Sequence, residues 1–391
     1  MHKVLHLKNI KPMVIGVFTL MTAILFLAAK PVYANPTDPY AYTWTELAPG
    51  VWSGVRENSP IFPVMGTSTF VVGDEGVVVF DGGGAPLMTE RLMAKVAGVT
   101  DKPITHVVIS HWHGDHNFGI WRIVEEFPDV AVISHPFTRA ATIGRPMDYV
   151  KNSGTAMERL LPYFEERLST GIDDDGTVLS EKDLERFRYI IDHKDLLDSE
   201  FKRYAATLPT VTFEDKMVIY SGSREIHLLH LGDANTEGDI IMWLPEEKIV
   251  ATGDAVVFPT PYAFNTDPKK WGSTMEAVND LGYKILVPGH GDIQYDMNYV
   301  NLIIEALDSV ATQTDQFIAD GLSQEEAGER LDFSAFDERF TGGDAYTTRY
   351  YKAWFTDALR SSAYRAAMGE VMVKLEREEE VQEASNESEE D

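Results

Sequence analysis

Cysteine is absent from all 391 residues. That excludes disulfide scaffolds, thiolate zinc sites, iron–sulfur clusters and every cysteine nucleophile. Positive charge is scarce: 34 Lys and Arg stand against 62 Asp and Glu, a formal net charge of −28. Such a chain repels a phosphate backbone, so a nucleic-acid partner is not expected. No G-x-S-x-G occurs, which removes the usual serine-hydrolase signature. The run Gly82-Gly83-Gly84 is followed by no Lys-Ser or Lys-Thr and forms no G-x-G-x-x-G, so it is not a phosphate loop. Asp173-Asp174-Asp175-Gly176 suggests a calcium loop. Gly171 and Lys182, however, stand where its first and last positions need Asp and Glu.

Long apolar runs are also missing, with one exception. Met13–Ala29 follows Lys3, Lys8 and Lys11 and precedes Val32-Tyr33-Ala34. A basic start, an apolar middle and a small-residue end predict a secretory leader over 1–34, cleaved after Ala34, and a periplasmic or secreted protein. The alternative is an uncleaved N-terminal membrane anchor. No later stretch predicts stable membrane insertion. The leader holds four Lys and no acid, so its removal takes the charge from −28 to −32. At the other end, residues 376–391 carry nine acids and one Arg, an acidic disordered tail.

Between these ends the periodicity alternates. Residues 42–80 hold short β runs, and Gly73–Gly76 between Thr69–Val72 and Val77–Phe80 reads as a hairpin turn. A helix over Pro86–Val96 and strands Thr105–Ser110 and Val130–Ser134 around a helix at Gly119–Glu126 suggest a parallel βαβ unit. Residues 136–208 read as a helical insertion, with Ser180 and Asp183 at one helix start. Strands resume at Val211–Phe213, Met217–Tyr220, Glu225–Leu231, Ile240–Leu244, Ile249–Thr252 and Lys284–Val287, and helices follow to about Lys374. The division expected is a domain over 35–300, a helical extension over 301–375, and the tail. Nothing in the sequence sets an oligomeric state.

The sharpest signal is His111-Trp112-His113-Gly114-Asp115-His116, directly after Val107-Val108-Ile109. In an extended or looped backbone, side chains two apart point the same way, so His111 and His113 can grip one ion. Asp115 and His116 then face a neighbouring position. Two further donors follow strands: Asp254 in Thr252-Gly253-Asp254 and His290 in Pro288-Gly289-His290. Either alone is an ordinary turn or loop.

Taken in order, these segments resemble the metallo-β-lactamase superfamily, whose first motif is HxHxDH. The resemblance spans about residues 45–300. It implies an α/β (α+β) fold, an αββα sandwich, with metals at the strand ends. It also implies that His111 and His113 bind a first zinc, that Asp115, His116 and His290 bind a second, and that Asp254 bridges them. This ligand set resembles the glyoxalase II-like, lactonase and phosphodiesterase branches. Asp81 resembles the family's structural Asp beneath the metal loop. The chemistry implied is a zinc-dependent hydrolase, in which water ionised near neutral pH attacks an ester, lactone, thioester or amide carbonyl of a small-molecule substrate. Asp115 would also orient the nucleophile. β-Lactam hydrolysis and a catalytically impaired binding or sensing protein are the alternatives. One position departs from the pattern: Asn235, in Gly232-Asp233-Ala234-Asn235-Thr236, stands where the family has a His. Asn235 ligates through its oxygen, or the first position is empty, or His230 or Asp233 substitutes. Trp112 is expected to pack on the sheet or rim the site, and Phe258 and Tyr262 to line a substrate pocket.

Overall fold

The computed structural model describes residues 38–56, 62–174 and 176–376. The expected leader and residues 377–391 of the tail lie outside the described residues. No helix among those described is long and apolar enough to cross a membrane.

The N-terminal half builds a seven-stranded sheet. β1 (Thr43–Ala48), β2 (Val51–Val55), β3 (Ser68–Val72) and β4 (Val77–Phe80) form an antiparallel meander. β5 (Ile104–Val108), β6 (Ala131–Ser134) and β7 (Val211–Thr212) extend it in parallel. The β3–β4 turn closes where Gly73 N donates to Gly76 O at 2.8 Å. The parallel steps cross over helices: α1 (Pro86–Val99) from β4 to β5, then α2 (Gly114–Asn117) and α3 (Trp121–Glu126) from β5 to β6. In β4, Val77 and Val79 join the core under α1 and α3, whereas Val78 and Phe80 join the core between the sheets. Both faces are buried, which is why the strand is an unbroken apolar run.

The insertion between β6 and β7 holds α4 (Pro136–Ile143), a 3₁₀ stretch (Arg145–Thr155), α5 (Ala156–Thr170), α6 (Glu181–Asp192) and α7 (Lys194–Phe201). α6 starts with a reciprocal cap. Ser180 Oγ accepts from Asp183 N at 3.2 Å, and Asp183 Oδ2 accepts from Ser180 N at 3.1 Å. Met157, Phe164, Phe187, Ile190 and Leu197 bury against Tyr40, Met65 and Met88. The aromatic residues Phe164 and Phe187 are thus core.

The second sheet is ordered β12-β11-β10-β9-β8, from β8 (Lys216–Ser221), β9 (Arg224–Leu229), β10 (Ile241–Leu244), β11 (Ile249–Ala251) and β12 (Ile285–Val287). Only its β11–β12 pair is parallel, linked through α8 (Pro268–Asp280). The sheets face each other through Val71, Val78, Val108 and Ile133 on one side and Leu228, Met242, Leu244 and Val287 on the other. Outside the second sheet lie α8, α9 (Asn298–Ala319), α10 (Gln324–Arg330), α11 (Asp337–Thr341), α12 (Ala345–Tyr351) and α13 (Asp357–Ala367). Trp271, Ile303, Leu307, Phe340 and Leu359 from these helices, and Phe355 from the turn Lys352–Thr356 between α12 and α13, share one core with Trp243, Val250 and Leu286 of the sheet. The layers run helix, sheet, sheet, helix, as expected of an αββα sandwich.

Candidate metal centre

Three strand ends deliver the donors. β5 runs into His111 and His113, with Asp115 and His116 on the single turn of α2. β11 ends at Asp254, in the short turn Gly253–Ala255, and β12 at His290. Asp115 and His116 therefore sit on a helix, where the sequence suggested only an extended or looped backbone. Four residues are too few to show a helical period.

The donor atoms converge in two groups that share Asp254. In one, His111 Nε2 lies 2.9 Å from His113 Nδ1 and 3.6 Å from Asp254 Oδ2. In the other, His116 Nε2 lies 3.1 Å from Asp254 Oδ1 and 3.2 Å from His290 Nε2, which is 3.0 Å from Asp115 Oδ2. Asp254 Oδ1 is nevertheless buried without a hydrogen bond of proper geometry, and so is Asn235 Oδ1. Buried acceptors without partners are costly. Here imidazole nitrogens and carboxylate oxygens aim at common points rather than at each other. The residues fit one or two ions held by nitrogen and oxygen, with zinc among the metals such a set accepts.

Asp81 braces this cluster from beneath. Its Oδ1 accepts from Ser110 N at 2.8 Å, and its Oδ2 pairs with His116 Nδ1 at 2.8 Å. That bond occupies Nδ1 and leaves Nε2 to face the donors. Asp81 holds φ at 57°, a conformation Asp tolerates better than most side chains. Ser110 Oγ sits 2.9 Å from His111 Nδ1 and orients the second ring in the same way. The Gly82–Gly84 run has a packing reason: a Cβ on Gly84 would fall 2.2 Å from the Asp115 carbonyl oxygen.

Charge sorts itself among these side chains. Burial opposes ionisation of Asp115, but His116 and His290 lower its carboxyl to about 2. Burial likewise opposes protonation of His290, yet Asp254 and Asp115 raise it to about 9. His116 is raised well above the ordinary imidazole value against the same burial, by Asp254, Asp81 and Asp115. His113, buried beside His111, is pushed down to about 3.

The position of Asn235 is now defined. It is buried, and its Nδ2 donates to the Tyr262 carbonyl at 2.5 Å. The two substitutes considered for it are engaged elsewhere. His230 bonds Asp239 O through Nδ1 at 3.0 Å and stacks on His135 at 4.3 Å, while Asp233 pairs with Lys270 at 2.8 Å.

Above the donors opens a cavity of about 480 Å³. His113, Asp115 and Asp254 form its polar floor. Its walls are apolar and aromatic, among them Phe62, Trp112, Tyr149, Tyr204, Phe264 and Trp354, and among the described residues no Lys or Arg lines it. Trp112 and Tyr262 also line it. Phe258 does not: its ring packs on Tyr299 at 5.0 Å, against the core outside the second sheet. Proximity to Asp254 in the chain was a poor guide, because the backbone turns Phe258 away. Sequence reasoning missed Trp354, which meets Tyr262 edge-on at 4.9 Å and is brought in by the helical extension. Tyr149, whose hydroxyl accepts from Gly114 N at 2.9 Å, comes from the insertion.

The sequence signature of the metallo-beta-lactamase superfamily matches residues 61–290. The chain belongs to that superfamily. Among superfamily relatives, the linear primary-alkylsulfatase of Pseudomonas sp. (strain ATCC 19151) is 22% identical over 290 residues, 71% of this chain and 51% of that protein. The beta-lactamase-like protein 2 homolog of Caenorhabditis elegans is 22% identical over 282 residues, covering 72% and 70%. The solved structure of the sec-alkylsulfatase Pisa1 from Pseudomonas sp. has a TM-score of 0.55 at 16% identity, over 85% of this chain and 51% of that one. The chain thus spans about half the length of both alkylsulfatases.

Proposed function

We propose that this protein is an exported, zinc-dependent hydrolase of small molecules with an apolar group, cleaving an ester, lactone, thioester or amide. The observation that carries the reading is the pair of donor groups sharing Asp254 on the floor of an aromatic cavity. His111, His113, Asp254 and the Asn235 oxygen would hold one ion, and Asp115, His116, His290 and Asp254 the other. Zinc in such a set supplies Lewis acidity and lowers the pKa of water. Asp115 reaches into the cavity and stays ionised at neutral pH, so it can orient a water by accepting its hydrogen bond. The aromatic walls hold the substrate's apolar part and exclude bulk water from the polar floor.

A second reading is hydrolysis of an alkyl sulfate ester. It is favoured by alkylsulfatase relatives found by sequence and by fold alike, and by walls suited to an alkyl chain. One experiment separates the readings: metal analysis of the purified protein, with a panel of carboxylic esters, lactones, thioesters, amides including β-lactams, and alkyl sulfates. We expect one to two zinc per chain, turnover that chelation abolishes, and release of a carboxylic acid rather than sulfate. Sulfate release selects the second reading. Protein that loses all metal on mild dialysis and turns over nothing sinks both, leaving a binding protein. For export, the mass of the secreted form should start at Asn35.

A further inference from the structure

Among the rings around the apolar cavity, Tyr149 stands apart in what its hydroxyl touches. Gly114 N donates to Tyr149 Oη at 2.9 Å, and Gly114 lies between His113 and Asp115, both on the polar floor. The hydroxyl is thereby held at the level of the donor cluster, although the residue comes from the insertion and is half exposed. An amide N–H can only donate, so the phenol oxygen accepts here. Its own proton is left for another acceptor, and among the described residues none takes it. A tyrosine hydroxyl keeps that proton at neutral pH.

Local packing sets this position. Tyr149 lies in the 3₁₀ stretch Arg145–Thr155, between α4 and α5. Its ring meets Phe118 at 5.5 Å, and a Cβ on Gly114 would fall 2.1 Å from the Phe118 ring. Glycine at 114 thus lets Phe118 lie against the metal loop, and Phe118 supports the ring whose hydroxyl reaches the Gly114 amide. Among the described residues the cavity has no Lys or Arg in its lining. Negative charge building on a substrate oxygen therefore meets no cationic side chain there, and a neutral O–H is what Tyr149 offers it.

We propose that Tyr149 is a catalytic residue whose hydroxyl donates a hydrogen bond to the substrate oxygen that turns anionic during hydrolysis. That oxygen belongs to the acyl group as water adds, or to the alcohol as it departs. Either is a stronger acceptor when charged than in the neutral ester, so the bond favours the transition state over the bound substrate. Because the Gly114 amide already holds the phenol oxygen, the donor is in place before the charge develops. No proton leaves Tyr149 in this role. The inference deepens the hydrolase reading and rests on it.

The test compares the wild type, Tyr149→Phe and a full chain carrying difluorotyrosine at position 149, each zinc-loaded, on the ester of the panel that the wild type cleaves. We expect Tyr149→Phe to lower kcat about 100-fold, with KM and zinc stoichiometry little changed. The fluorinated ring separates donating from bracing. Ionised or not, it accepts from Gly114 N, but only the neutral form can donate. Its kcat should match the wild type at low pH and fall as pH rises through the lowered phenol pKa, a limb that the wild type lacks in that range. Full activity in Tyr149→Phe overturns the proposal. So does a fluorinated enzyme whose pH profile follows the wild type, since the hydroxyl then only braces the loop at Gly114. Esters with good and poor leaving groups assign the oxygen. A loss in Tyr149→Phe that is uniform across them places the bond on the acyl oxygen, and one that grows with leaving-group pKa places it on the departing alcohol; either supports the role. A wild type that cleaves no ester in the panel sinks the hydrolase reading, and this role falls with it.

Discussion

Asp81 shows how one residue acts through another. Its carboxylate holds Ser110 N and His116 Nδ1, each at 2.8 Å, and it belongs to neither donor group. Asp81→Asn keeps the size and tolerates the φ of 57°, but it loses the anion that fixes the His116 ring. Zinc affinity and turnover should drop about 10- to 100-fold while the circular dichroism spectrum is retained. An unchanged metal titration would show the bond to be merely structural. His290 makes a pH prediction. Burial opposes its charge, but Asp254 and Asp115 lift it to about 9, so after chelation it keeps a proton at neutral pH. A ligand needs that nitrogen free. Metal affinity should therefore fall about tenfold per unit for this group as pH drops below about 9, with proton release visible by calorimetry in two buffers. For the chelated fold the sign is reversed. A pKa raised above the ordinary 6.5 gives stability that is full below about 6.5 and lost as pH rises through about 9. Melting curves across that window check it. Asn235→His should tighten the first ion; unchanged stoichiometry and activity would mean that the Asn235 oxygen is no ligand.

Strands and their ends were legible in the sequence, and pocket walls were not. Unbroken runs such as Val77–Phe80 mark a strand buried on both faces. Donors after such runs, at His111, Asp254 and His290, announce a site because imidazole and carboxylate rarely gather without a use. Trp354 carries no such mark. It lies on a wide helical turn, Lys352–Thr356, about a hundred residues beyond Asp254, and only tertiary packing brings it against Tyr262. Its neighbours Tyr351 and Phe355 are core, and aromatic spacing alone does not tell a core ring from a wall ring. Widened helical turns recur at functional sites, where they re-aim a side chain. If this one places a wall of the apolar cavity, Trp354→Ala should raise KM for long-chain substrates by about tenfold and leave short-chain substrates nearly unaffected. A KM series against chain length decides it. A uniform loss across the series would instead show that the turn supports the fold around Tyr262.

At the scale of the whole molecule, the sequence suggested a domain ending near residue 300 with a helical extension after it. The packing joins them. Trp243, Val250 and Leu286 of the second sheet bury against Ile303, Leu307, Phe355 and Leu359, and Trp354 lines the cavity above the donors. Composition and period do not reveal this, because an amphipathic helix has the same pattern whichever partner covers its apolar face. With no cysteine available, such burial has no disulfide to support it. Phe355 is fully buried where α13 meets this core, so Phe355→Ala should cost about 3–5 kcal/mol. If extension and sandwich are one cooperative unit, thermal unfolding should remain a single transition at lower temperature, with zinc released in that same transition. A new early transition that spares the metal would mean that the extension melts alone. The site would then need the late helices only for its wall, and turnover of short-chain substrates should survive that first step.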